Sequence, residues 1–227
     1  SVQGSLRFSD QAILDVTDYG NFAPLGLLYV AGALKAQNPH VCVELLDCMA
    51  EQLSAEEIRH RIAAYAPDVI GILSYTDLMV SVLTIARIAK EIDRNIHVCV
   101  GGLHVFYYPY YTIIQPNVDS IVFGEGEPVF PALVQRVVEK RPVHELEHVF
   151  TKEKLPACDL KGDPRGEGQG YTADINTVPF PDRSIIKDPT IYFSTDGLSH
   201  QNITLLTSRG CPFNCAFCDV PYKQYRE

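Results

Sequence analysis

The sequence predicts an α/β protein: a doubly wound, five-stranded parallel sheet with helices on both faces, followed by a connector and the opening of a second unit. Three observations carry this. Short β-rich apolar runs alternate with segments of helical period from about residue 10 to about residue 140. The run at residues 69–74 (VIGILS) is apolar without alternation, as strands covered on both faces are. Polar and glycine-rich stretches follow the strands, where such sheets bind ligands.

Residues 12–15 (AILD) make a short first strand, with a loop rich in Asp, Tyr and Asn behind it. Pro24 precedes a helix over 25–37 whose apolar face carries Leu27, Leu28, Ala31 and Leu34, and Asn38-Pro39 ends it. Residues 41–47 (VCVELLD) form a second strand. Ser54-Ala55-Glu56-Glu57 has the pattern of a capping box and starts a helix that runs to about Tyr65. Strand 69–74 leads into a helix over about 78–92, with Val82, Ile85, Ala86 and Ala89 inward. Residues 96–100 (IHVCV) are the next strand, stopped by Gly101-Gly102. A short helix is expected over 107–115, a fifth strand over 121–123, and a helix from Pro128 to Lys140.

After residue 140 the composition changes. Residues 1–140 thus read as the α/β domain and 141–200 as a polar, Gly- and Pro-rich connector with at most a small hairpin. Residues 201–227 read as the start of a second domain, opening with a strand at 202–207 that runs straight into Ser208-Arg209-Gly210-Cys211.

Charge and composition narrow the function classes. Of 227 residues, 46% are hydrophobic and 21% charged, the balance of a soluble globular protein. The net charge of −9 repels phosphate backbones, so nucleic acid is not an expected partner. The longest strongly apolar run, residues 25–34, is too short to span a bilayer, and no membrane association is expected. The first residues lack a basic stretch followed by an apolar one, so no signal peptide is expected.

There are seven cysteines, an odd number with no secreted disulfide pattern, which fits a reducing cytoplasm. Cys42, Cys48, Cys99 and Cys158 are scattered and read as small hydrophobes. The other three, Cys211, Cys215 and Cys218, form Cys-x3-Cys-x2-Cys. Thiolates suit iron–sulfur clusters or zinc. Three on one loop can hold three corners of a four-iron cluster and leave the fourth iron open. The alternatives are zinc, with Cys158 or His200 as a fourth ligand, and three unrelated thiols.

The segment SRGCPFNCAFCDVP, with Phe217 ahead of the last cysteine, resembles the cluster motif of the radical S-adenosylmethionine (radical SAM) superfamily. The resemblance implies a 4Fe-4S cluster on Cys211, Cys215 and Cys218. Its open iron would chelate S-adenosylmethionine, whose reductive cleavage yields a 5′-deoxyadenosyl radical. It also implies Phe217 beside the adenine and an electron donor such as flavodoxin or ferredoxin.

The stretches APLGLLYVAGAL (23–34), PDVIGILSYT (67–76), VGGLH (100–104), VDSIVFGEGEP (118–128) and TVPFPDRS (177–184) resemble the Rossmann-like cobalamin-binding domain that precedes the barrel in a large radical SAM class. On that resemblance Gly101, Gly102, Gly124 and Gly126 let backbone approach the cobalamin tail. Ser74 and Thr76 offer it hydroxyls, Glu125 lies beside it unless both Glu125 and Glu127 are exposed or cap the next helix, and His104 is the lone histidine of the edge. The loop DVTDYGNFAPLG (15–26) lacks the Asp-x-His-x-x-Gly of proteins that bind cobalt through histidine, leaving Tyr19, Asn21, water or nothing to face cobalt. The implied activity is a cobalamin-dependent radical SAM methyltransferase acting on a small-molecule or peptide substrate. Two alternatives stand beside it: a cobalamin carrier or sensor without catalysis, and a radical SAM enzyme whose α/β domain holds no cobalamin. A radical SAM barrel needs on the order of 200 residues, by comparison with other α/β barrels. Only its first strand and cluster loop are present, so the chain is expected to be a fragment, inactive alone.

Overall fold

A parallel strand pair cannot be closed by a tight turn, so each strand of such a sheet must be followed by a crossover. The computed structural model describes residues 20–154, 174–194, 203–218 and 225–227, and within them this pattern is clear. Helices α1 (Leu25–Gln37) and α2 (Ala55–Tyr65) come first. Then follow β1 (Val69–Leu73), α3 (Met79–Ile92), β2 (His97–Gly101), α4 (Leu103–Tyr107), α5 (Pro109–Ile113), β3 (Ser120–Val122), α6 (Phe130–Val138) and β4 (Val149–Thr151). The sheet order is β1-β2-β3-β4, parallel from β1 to β3 and antiparallel at β4.

Alternation along the strands divides the core. Ile70, Ile72, Val98, Val100 and Ile121 face a large cluster with Ile58 and Ile62 of α2, Val82 and Ala86 of α3, and Val105 and Ile113 of the short helices. Cys99, Val122 and Val149 point the other way, against Leu133 and Phe130 of α6. Gly71 belongs to this second face: a Cβ there would lie 2.8 Å from the Phe130 ring, so the bare backbone is what lets that ring rest on the sheet. Burial pushes the Cys99 thiol up to about 12, which makes it an inert core residue.

Local chemistry explains the helix ends. At α2 the Ser54 side chain accepts from Glu57 N while Glu57 Oε2 accepts from Ser54 N at 2.8 Å, the reciprocal box the sequence predicts. The helix expected over 107–115 is instead two short ones. Pro109 has no N–H to give and disfavours helical backbone before it, and Tyr108 sits at φ −133, ψ 52. The helix expected from Pro128 to Lys140 spans Phe130–Val138, and Lys140 has already turned to φ 55.

The five-strand expectation gives way to four described strands. Residues 12–15 lie outside the described residues. Residues 41–47 take no ladder partner among the described residues and are held by side chains instead. Leu45 packs with Leu28 and Tyr192, Leu46 packs against the large cluster, and Glu44 is gripped by Arg61 and Lys187. A β-rich run reports fit to a half-buried surface rather than strand pairing itself. The same holds at 203–207, which is unpaired; Asn202 lies outside the described residues. Conversely Val149–Thr151, within the expected connector, completes the sheet beside β3.

The connector also packs on α1. Asp182 N donates to Leu28 O at 2.9 Å, and Lys35 pairs with Asp182 at 2.6 Å. A Cβ on Gly32 would collide with the carbonyl oxygen of Phe180. Further on, buried Tyr192 donates its hydroxyl to Asp47 Oδ2 at 3.1 Å. No helix among the described residues is long and apolar enough to cross a membrane.

Candidate functional site

The carboxyl ends of β1, β2 and β3 lie side by side, and the residues after them form one edge. Its first part is a splice between β1 and β2. Ser74 N donates to Gly101 O at 2.8 Å, and the Ser74 hydroxyl donates to the same oxygen at 2.7 Å. Ser74 is 0% exposed, so its hydroxyl serves the splice and does not reach the surface as the sequence reading expected. Gly102 sits at φ +100, where a Cβ would lie 2.7 Å from Ser74 O. Its missing side chain is therefore filled by the chain's own backbone. Gly101 differs: the nearest atom to its Cβ position is Val122 O at 3.9 Å, which leaves room beside it.

His104 comes next. Its N–H donates to Ser74 O at 3.2 Å, which seats α4 on the splice. Its ring is only 4% exposed, with Nδ1 at 3.1 Å from the hydroxyl of exposed Thr76 and the Tyr108 ring 5.1 Å away, tilted by 33°. Nε2 is buried and has no hydrogen-bond partner among the described residues. Such atoms are rare in folded proteins and call for an explanation. Burial lowers the His104 pKa, so the imidazole is neutral at pH 7. Tyr75, Leu103 and Tyr108 around it are exposed. An unfilled buried nitrogen, an open Gly101 and exposed aromatic faces fit a large ligand with apolar surface and polar appendages, as cobalamin is.

The loop after β3 is built otherwise. Gly124 turns it at φ +96. Glu127 Oε1 accepts from Arg209 Nη2 at 2.6 Å, and Glu125 Oε1 lies 3.3 Å from Arg209 Nη1. Arg226 reaches the same Glu125 with both nitrogens, at 2.8 and 3.3 Å. Arg209 and Arg226 exchange two backbone hydrogen bonds of 2.8 Å. The Arg209 guanidinium lies 5.0 Å over the Tyr29 ring, and a Cβ on Gly126 would lie 2.8 Å from Val30 of α1. Glu125 and Gly126, expected beside a nucleotide tail, thus face the arginines and α1. Sequence reasoning missed both arginines, although Arg209 stands within the cysteine segment itself.

Asn21 is likewise committed. It exchanges backbone hydrogen bonds of 2.8 and 2.9 Å with Phe193, and its side-chain amide donates to Ile191 O at 2.8 Å. Tyr19 lies outside the described residues. Of the thiols, Cys215 is exposed and Cys211 and Cys218 are half-buried, with Cys218 N donating to Cys215 O at 3.1 Å. Among the described residues no three His, Cys, Asp or Glu side chains are gathered as a metal needs them. Gathering mutually repelling thiolates is work that the metal centre itself does on binding. Phe217 is 93% exposed beside them.

The family model for the B12 binding domain matches residues 12–134. An uncharacterized methyltransferase, PH0819, of Pyrococcus horikoshii is 33% identical over 197 residues, covering 86% of this chain and 40% of that protein. The anaerobic magnesium-protoporphyrin IX monomethyl ester cyclase of Rubrivivax gelatinosus is 30% identical over 208 residues, covering 88% and 35%. The chain therefore spans well under half the length of these relatives. Among solved structures, the radical S-adenosylmethionine methyltransferase TsrM of Kitasatospora setae, with cobalamin and a [4Fe-4S] cluster bound, shares the fold. The TM-score is 0.58 at 19% identity, over 91% of this chain and 41% of that one.

Proposed function

The chain belongs to the B12-binding domain family, and on that premise we propose that it is the cobalamin-binding and cluster-bearing part of a radical SAM methyltransferase. The observation that carries the proposal is the pairing of two features. One is a sheet edge with an unfilled buried nitrogen at His104. The other is a Cys-x3-Cys-x2-Cys loop tied to the next strand end through Arg209. Methyltransferases among the relatives support it.

When bound, cobalamin supplies a transferable methyl group, and the cluster supplies the electron that cleaves S-adenosylmethionine. The protein's part is to bind and orient. Cys211, Cys215 and Cys218 would each give one thiolate to the cluster, and exposed Phe217 is free to lie against the adenine. Neutral His104 would share a hydrogen bond through Nε2 with a polar group of the cobalamin tail, and Thr76 holds its Nδ1. Gly101 leaves the space, and Tyr75 and Tyr108 offer apolar faces. An external electron donor such as flavodoxin or ferredoxin completes the system, with a small-molecule or peptide substrate. Three reduced thiols suit the cytoplasm. The cyclase of R. gelatinosus favours one second reading, ring formation at the same centre in place of methyl transfer.

Anaerobic reconstitution of the full-length protein with iron, sulfide and hydroxocobalamin tests the proposal. Cobalamin absorption bands should co-elute with the protein, and reduction in the presence of S-adenosylmethionine should release 5′-deoxyadenosine. Absence of both sinks it. Cobalamin retention without cleavage would favour a carrier.

A further inference from the structure

We propose that Arg209 is a positioning residue: clasped by Glu125 and Glu127, it fixes the cysteine loop against the carboxyl edge of the sheet and so sets the distance between cluster and cobalamin. The inference rests on the functional reading above for what is being positioned, but the clasp itself stands on geometry.

Four charges alternate along the clasp, Glu127–Arg209–Glu125–Arg226, and balance one another. The four side chains are only 8–13% exposed, so solvent screens them weakly. Both arginines use forked contacts, and Arg209 spans two carboxylates at once. Tyr29 backs the guanidinium from α1, and the paired backbones of Arg209 and Arg226 stop it from swinging. Arg209 stands two residues before Cys211, so the first thiolate can stray no more than about 7 Å of backbone from the clasp.

Much of the apolar surface of the 203–218 segment faces solvent. Ile203, Leu205, Phe213 and Phe217 are well exposed, and upstream of Arg209 the Arg183 guanidinium donates to Thr204 O. The clasp is therefore a joint that transmits the position of β3 to the cysteines. Removing one carboxylate leaves a buried guanidinium short of a counter-charge, a strongly unfavourable state that segment 203–218 can escape by letting go.

The test uses the full-length protein carrying Glu127→Gln, and Arg209→Lys as a second variant that keeps the charge but cannot span both carboxylates. Amide hydrogen exchange at residues 207–211 should accelerate at least about tenfold in E127Q, with residues 98–100 still far better protected than 207–211 as the check that the sheet is folded. In reconstituted protein, the dipolar broadening of the cob(II)alamin electron paramagnetic resonance signal by the reduced cluster should become weaker and more dispersed. R209K should fall between E127Q and wild type in both, and it carries the test alone if E127Q does not fold. Exchange at the wild-type rate would overturn the clasp. Faster exchange with unchanged dipolar broadening would overturn the positioning role and leave a structural ion pair. A wild-type protein that binds neither cobalamin nor cluster would count against the functional reading, and the exchange measurement would still decide the clasp.

Discussion

The edge after β2 and the loop after β3 look alike as sequence and differ as structure. Each has two glycines, at least one polar side chain and the start of a helix. After β2, the Gly101 carbonyl takes both Ser74 donors, Gly102 packs against Ser74 O, and among the described residues His104 Nε2 is left without a partner. After β3, the carboxylates of Glu125 and Glu127 are met by arginines 82 to 101 residues away. A glycine behind a strand therefore does not mark a ligand face by itself. What marks it is a hydrogen-bonding valence the protein leaves open, together with space beside it.

The largest expected effect breaks the filled side of that contrast. Glu127→Gln should lower unfolding stability by about 3 kcal/mol, as opened buried ion pairs do, measured by urea denaturation. Next, the two glycines where β2 ends should part company. Gly102→Ala, forced to φ +100 with its Cβ against Ser74 O, should lose about 2 kcal/mol or more. Gly101→Ala should stay within about 1 kcal/mol of wild type and lower cobalamin retention. Equal losses from both would erase the distinction drawn between them.

His104→Phe sharpens the open side. It removes the unpartnered nitrogen, so the ligand-free protein should gain up to about 1 kcal/mol. Cobalamin retention should drop about tenfold, the worth of one hydrogen bond of about 1.4 kcal/mol. The pH dependence should follow. Burial lowers the His104 pKa below its unfolded value of 6.5. The unfolded chain therefore takes up the proton first, and stability present above pH 6.5 is lost as pH falls through that value towards the folded one. H104F should flatten this slope in part, because His97 is also lowered by burial and keeps its share. A slope unchanged in thermal melts between pH 7 and 5 would contradict the assignment. The smallest effect is Ser74→Ala, about 1 kcal/mol for the lost bond to Gly101 O, seen as a small fall in melting temperature.

Much of the frame was legible in the sequence because its signals are local. The capping box at Ser54 and Glu57, the all-apolar β1 and the stop at Gly101-Gly102 each need only neighbouring residues to be read. Strand pairing is not local. Residues 41–47 have strand composition but spend it on side-chain contacts, while Val149–Thr151, flanked by His148 and Lys152, pairs because β3 has a free edge. The site divides the same way. The gathering of Ser74, Thr76, Gly101, Gly102 and His104 could be read from strand ends, but not which of them face inward. The arginine clasp left no periodic trace, since nothing near Glu127 in sequence announces Arg209.

Gly32 has a consequence for how such a chain can vary over time. Its single hydrogen is what lets the Phe180 carbonyl rest on α1, and through Asp182 and Arg183 that contact fixes where the connector leaves the helix. A methyl group at position 32 would push the whole path outward. Substitutions at 32 and at 179–183 should therefore be inherited together or not at all, and a lineage that enlarges one without rerouting the other should be hard to find.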